Sequence, residues 1–234
     1  MGGAGDNSVF RVLVLNGWAA SRQAWDLCRF RSHPQVRCTI MAYTEQLAGA
    51  PERELAGSDG KLLLVGWSLG GSSALRLACR WPEKIAGLVL LAATPRMMEE
   101  RESGWRGMSP RRLEALRRGL ELTQGQGFGE MPAGRPNPYM MDTPENLDAG
   151  LDYLRQTDIR ADLARVFGGG EGSFPVSILQ SERDGIVRPE NAAFLKTQFP
   201  HARVEMVPGA EHALPVAIPE AVDGAVARML NLAI

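Results

Sequence analysis

Short, almost wholly apolar runs recur along this chain, separated by segments of helical length. Residues 10–15 (FRVLVL), 36–43 (VRCTIMAY), 61–66 (KLLLVG), 85–93 (IAGLVLLAA), 175–180 (PVSILQ) and 203–207 (RVEMV) are rich in aliphatic and β-branched side chains. Most lack the polar alternation of a strand with one wet face, so they read as strands buried on both sides. Parallel strands need long crossovers, usually helical, and those helices cover the two faces of the sheet. The expected architecture is therefore α/β, a mostly parallel sheet of about six strands with helices on both faces. Helices are expected at residues 21–31, 72–81, 189–199 and 219–230. Another is expected at 44–56, with Thr44 as its cap and Pro51 as an interruption.

The texture changes between residues 94 and 165. β-Branched residues thin out, charges increase, and six of the ten methionines fall here: Met97, Met98, Met108, Met131, Met140 and Met141. Helices are expected at residues 110–122 and 144–154, with a Gly- and Pro-rich loop at 125–138. We read residues 96–165 as a helical cap inserted into a core made of residues 1–95 and 166–234. A chain of 234 residues holds such a core as one domain. The methionines offer a pliable acyl pocket, or simply fill gaps in packing. The glycine-rich stretch Gly168, Gly169, Gly170 and Gly172 follows no strand and lacks the Lys-Ser/Thr of a phosphate loop, so it reads as a return linker.

Several function classes are disfavoured. A net charge of −1 gives no reason to expect nucleic acid or an anionic membrane as partner. The longest nearly apolar run, residues 85–93, falls far short of the ~20 residues of a spanning helix. The start, MGGAGDNSVF, has no basic or apolar signal region, and Asp6 stands where myristoylation requires Ser or Thr. Cys28, Cys38 and Cys79 are odd in number and widely spaced, which reads as three reduced thiols and not as a disulfide or metal framework. A cytoplasmic monomer without metal or cofactor is expected.

One pentapeptide carries chemistry. Gly66-Trp67-Ser68-Leu69-Gly70 lies where a buried strand passes into a helix. A sharp strand-to-helix turn of this kind lifts a serine hydroxyl above the sheet edge, and small residues must flank it. Serine is a weak nucleophile without a base. Of three histidines, His33 and His201 sit beside prolines in loops, whereas His212 follows the last strand on the carboxyl edge that also carries Ser68. Asp184, just past the strand at 175–180, stands on the same edge and can orient the imidazole. Each residue has a plainer reading: a helix cap, a loop histidine, an Asp-Gly turn. The order Ser68, Asp184, His212, one residue after each of three strands, unites them as nucleophile, acid and base. Two backbone amides complete an oxyanion site: Leu69, directly after the serine, and Trp18 in the loop after the first strand. Trp18 also reads as an aromatic covering the sheet edge.

With these residues in place the chain resembles the α/β-hydrolases over nearly its whole length. Within them it is similar to the pimeloyl-acyl-carrier-protein methyl ester esterases of biotin synthesis. The matching stretches are NGW at residues 16–18, GWSLGG at 66–71, RWPEKIAGLVLLAATP at 80–95, LDYLRQTDIRADL at 151–163, ERDGIVRP around Asp184 and GAEHALP around His212. The resemblance implies a serine esterase acting on the methyl ester of a pimeloyl chain held on acyl-carrier protein. It also implies that cap arginines meet that acidic partner. Arg106, Arg111, Arg112, Arg117 and Arg118, opposed locally only by Glu114, offer such charge. A solvated helix face with a Glu114–Arg118 pair is the alternative. Two departures stand out: Asn16 replaces the family's usual histidine, and the sheet is expected to lack the usual antiparallel N-terminal pair. The rivals are a short-chain carboxylesterase or thioesterase without a carrier, and a binding protein that keeps only the fold.

Overall fold

Period-two alternation of apolar side chains divides the strands between two hydrophobic clusters, one on each face of the sheet. Leu13, Leu62, Leu64, Leu88, Leu90 and Ile178 enter one cluster; Val12, Val14, Leu63, Val65, Val89 and Leu179 enter the other. The computed structural model describes residues 9–126, 134–168 and 174–234. Its six strands are β1 (Phe10–Leu15), β2 (Val36–Met41), β3 (Leu62–Trp67), β4 (Ile85–Leu91), β5 (Val176–Ser181) and β6 (Arg203–Val207). They form one sheet in the order β2-β1-β3-β4-β5-β6, and every pairing is parallel. Strand order reverses between β1 and β3. In open α/β sheets the crevice beyond the carboxyl ends of two such strands is where ligands bind.

The nine helices among the described residues are α1 (Tyr43–Leu47), α2 (Ala50–Ala56), α3 (Leu69–Arg80), α4 (Pro110–Thr123), α5 (Pro144–Gln156), α6 (Arg160–Phe167), α7 (Glu190–Gln198), α8 (Leu214–Ala217) and α9 (Pro219–Leu230). Helices α2, α3, α6 and α7 contribute to one apolar cluster, and α4, α5, α8 and α9 to the other. Between β4 and β5 the chain inserts α4 and α5 over the carboxyl edge and then returns through α6. Helix α6, absent from the sequence-based expectation, packs Leu163 and Phe167 beneath the sheet beside Phe199. The base of the inserted segment is clasped by an ion network. Arg96 and Arg160 both pair with Asp158, and Arg160 also reaches Glu100. The Arg160 hydrogen bond holds the Asp158 carboxyl at about 2, against the opposing effect of partial burial.

Three local expectations need correction. Residues 21–31 form two 3-10 turns, Arg22–Trp25 and Arg29–Ser32, instead of one helix. The break arises because the buried Asp223 carboxylate of α9 accepts from the Arg29 and Phe30 amides, both at 3.0 Å, and so caps the second turn from a distant element. Strand β2 stops at Met41, and α1 starts at Tyr43, so Thr44 is not its cap. Gly49, at φ +75°, separates α1 from α2, and Pro51 lies in the first turn of α2, where a missing N–H does no harm.

Candidate active site

Backbone geometry at the end of β3 is unusual for one residue only. Ser68 has φ +57° and ψ −118°, a conformation non-glycine residues hold under constraint, costing about 1–3 kcal/mol. Its amide donates to the Leu91 carbonyl at 3.0 Å, and α3 begins immediately afterwards. The glycines around it are required by close approach. A Cβ on Gly66 would lie 2.5 Å from the Gly70 oxygen, and one on Gly70 1.9 Å from the Leu15 oxygen. Helix α3 therefore sits directly against β1 and β3, with the serine at its amino end.

The structure brings the three predicted side chains together. His212 Nε2 lies 2.8 Å from Ser68 Oγ, and His212 Nδ1 lies 2.9 Å from Asp184 Oδ2. A carboxylate only accepts, so Nδ1 carries the proton toward Asp184 and leaves Nε2 to accept from the serine hydroxyl. All three residues are buried. Burying a carboxylate is tolerable only when its oxygens are satisfied. Here Asp184 Oδ1 accepts from the Ile186 and Val187 amides at 2.8 and 2.9 Å, and Oδ2 accepts from Gln180 Nε2 at 3.3 Å. His212 is braced from below by Trp67, whose indole N–H donates to the His212 carbonyl at 2.9 Å. The Ser181 hydroxyl donates to the Ala210 carbonyl and ties the end of β5 to the histidine loop. Gln180, Ser181 and Trp67 were not anticipated as supports. Their only sequence signal is polar or aromatic residues at the carboxyl ends of otherwise aliphatic strands.

The loop after β1 lies beside the serine: a Cβ on Gly17 would be 3.4 Å from Ser68 Cβ. Among the described residues neither the Trp18 nor the Leu69 amide has an acceptor. Asn16, fully buried, supports this loop from within. Its Nδ2 donates to the Ala20 carbonyl at 2.9 Å, and its Oδ1 accepts from Trp25 Nε1 at 3.1 Å. The asparagine thus supplies a donor and an acceptor in the place where the resembling family usually has histidine.

Above these groups lies a narrow, largely apolar pocket. Ser68, His212 and Trp18 line it at the reacting end, with Leu113 and Leu116 of α4 facing Leu151 and Leu154 of α5. Met97, Tyr139 and Ile186 complete it. Each leucine pair is spaced three apart and so shares one face of its helix, a pocket wall that the sequence reading assigned to methionines instead. Of the six methionines only Met97 lines the pocket: Met98 and Met108 are buried elsewhere, Met140 is exposed, Met141 is half-buried and Met131 lies outside the described residues. The glycines at 169, 170 and 172 also lie outside them. Burial pushes the thiols up, Cys38 to about 11, Cys79 to about 12 and Cys28 further, so none is poised as a competing nucleophile.

The five arginines do not form one free patch. Arg117 is held by Asp148 at 2.6 Å and Glu121 at 2.8 Å, Arg106 pairs with Glu190 at 3.5 Å, and Arg112 donates to the Gly185 carbonyl. Glu114 pairs with Arg155 of α5, so the alternative Glu114–Arg118 pair does not form. Arg111 and Arg118 are exposed and make no ion pair among the described residues. Also among the described residues, no three His, Cys, Asp or Glu side chains cluster to hold a metal, and no helix is long and apolar enough to cross a membrane.

The six-stranded parallel sheet and the strand-to-helix turn at Ser68 define a hydrolase fold, and the chain belongs to the alpha/beta hydrolase fold family, whose profile matches residues 32–216. Among its relatives are pimeloyl-[acyl-carrier protein] methyl ester esterases. That of Nitrosospira multiformis is 28% identical, covering 86% of this chain and 87% of the relative. That of Nitrosomonas europaea is 29% identical, covering 89% and 91%. Among solved structures, an esterase from Exiguobacterium antarcticum superposes with a TM-score of 0.74 at 17% identity, covering 96% of this chain and 92% of that one. A bromoperoxidase from Bacillus anthracis gives 0.71 at 17% identity, again covering 96% and 92%. Those two likenesses show the fold alone, since one fold hosts many chemistries.

Proposed function

We propose that this protein is a serine esterase working through an acyl-enzyme. The observation that carries the reading is the continuous hydrogen-bonded line Ser68–His212–Asp184 at 2.8 and 2.9 Å, opening into an apolar pocket. His212 Nε2 takes the Ser68 proton as Oγ attacks the ester carbonyl. The Leu69 and Trp18 amides hold the oxyanion of the tetrahedral intermediate, aided by the amino end of α3. His212 then gives its proton to the departing alcohol. In the second half it removes a proton from water, whose oxygen attacks the acyl-enzyme, and returns it to Ser68 Oγ as the acid leaves. Asp184 orients the imidazole and stabilises the imidazolium as it forms. These steps require no cofactor. The division into a core of residues 1–95 and 166–234 and an inserted cap of 96–165 belongs to the same proposal, as does a cytoplasmic, monomeric protein that takes neither nucleic acid nor membrane as partner.

The substrate we favour is the methyl ester of a medium-length acyl chain on acyl-carrier protein, in keeping with the relatives' names. The pocket supports an uncharged chain, because leucines of α4 and α5 form its walls. Arg111 and Arg118 supply the charge for an acidic carrier. The second reading, an esterase for small free esters, draws on the internal engagement of Arg106, Arg112 and Arg117. The test compares kcat/KM for pimeloyl-acyl-carrier-protein methyl ester and a free methyl ester. We expect preference for the carrier-bound ester, falling roughly tenfold between low salt and 0.5 M salt, and lowered further by Arg111→Glu with Arg118→Glu. Equal, salt-indifferent rates would assign the enzyme to small esters.

A further inference from the structure

Helix α5 acts on Trp18 in two ways. The Leu147 carbonyl accepts from the indole Nε1–H at 3.0 Å. One turn later Gly150 leaves a notch that the ring fills: a Cβ there would fall 2.4 Å from Trp18 Cδ1 and 2.9 Å from Nε1. Glycine weakens a helix interior, and no positive φ calls for it here. The space taken by the indole accounts for it. The other side of the same loop is held by the same inserted segment. Met140 N–H donates to the Ala19 carbonyl at 2.9 Å, and Ser21 N–H donates to the Pro138 carbonyl at 2.7 Å. Ala19 between them sits at φ +51°, a conformation alanine keeps only when its surroundings fix it.

The direction of the Trp18 amide is therefore set by contacts to its ring and to the next carbonyl, and both come from the insertion between β4 and β5. We propose that Gly150 and the Leu147 carbonyl form a latch through which α5 positions the oxyanion loop. Gly150 is then a positioning residue acting through Trp18, and the inserted segment assembles the oxyanion site as well as walling the pocket. The inference rests on the reading of Ser68 as nucleophile.

Steady-state hydrolysis of p-nitrophenyl butyrate tests it. Removing one oxyanion donor outright lowers kcat by about 10²–10³-fold, so displacing one through Gly150→Ala is expected to lower kcat about 10- to 100-fold. KM should stay within about threefold, because uniform substrate binding is untouched. Trp18→Ala removes the ring and with it the overlap, so adding Gly150→Ala to Trp18→Ala should give no further loss of kcat, the non-additivity of a shared contact. A kcat for Gly150→Ala within twofold of wild type, or losses that multiply in the double variant, would overturn the latch. Trp18→Phe alone carries the same test if Gly150→Ala does not fold: it breaks the bond to Leu147, and about tenfold lower kcat at unchanged KM is expected. Wild-type kcat in that variant overturns the proposal. Turnover surviving Ser68→Ala would sink the site reading and the latch together. Turnover lost in Ser68→Ala yet intact in Gly150→Ala would sink the latch alone.

Discussion

Ser68→Ala is expected to lower kcat on p-nitrophenyl butyrate by about 10⁴- to 10⁶-fold, the range seen when a nucleophile that acts as a unit with its base is removed. His212→Ala should give a loss of the same order, and the double variant little more, because either change disables the same step. The melting temperature should move by only a few degrees. Ser68 Oγ makes its one side-chain hydrogen bond to His212, and no packing in the core depends on it. Residual rate above the uncatalysed reaction would come from the two amides and the pocket. Losses that multiplied across Ser68 and His212 would mean that the two side chains act separately, against the 2.8 Å contact that joins them.

The largest effect on stability is expected from Gly70→Ala. Its new Cβ would lie 1.9 Å from the Leu15 oxygen, 2.4 Å from the Leu15 carbonyl carbon and 2.8 Å from the Asn16 oxygen. All three are backbone atoms of β1 and the loop behind it, so no rotamer change relieves the overlap. Helix α3 would have to lift away from the sheet, uncovering Leu75 and Ala74 on its buried face. A destabilisation of about 4 kcal/mol or more is expected, seen as a fall in urea midpoint or as loss of soluble protein. Gly60→Ala is the matched control. Nothing lies within 4 Å of its Cβ, and stability there should stay within about 1 kcal/mol, with a small gain from the unfolded state. Equal urea midpoints for Gly70→Ala and wild type would show that α3 is not seated on β1 as described.

The line from Ser68 to Asp184 was legible because each of its members follows a strand that the apolar runs mark plainly. Once parallel order is granted, residues just past β3, β5 and β6 have to share an edge. Asn16 was noticed as a departure, but its role depended on Trp25 and Ala20 folding back toward it, which no local pattern specifies. Asp223 capping a turn 194 residues away at Arg29 is likewise a tertiary event that overrides local helix propensity. Helix α6 was missed because eight residues ending at glycines carry little periodic signal, and its identity as a helix comes from Leu163 and Phe167 finding the core. The arginine pairings were decided by the packing of α4 on α5: Glu114 meets Arg155 across that seam instead of Arg118 along its own helix.

The most direct test of the central claim is covalent. Wild-type protein treated with a fluorophosphonate, which captures a serine activated by a neighbouring imidazole, should gain one adduct per chain, located by mass spectrometry on Ser68. The adduct should form far more slowly in His212→Ala. Ester turnover by a protein that shows no adduct at Ser68, or that carries its adduct on another residue, would contradict the account.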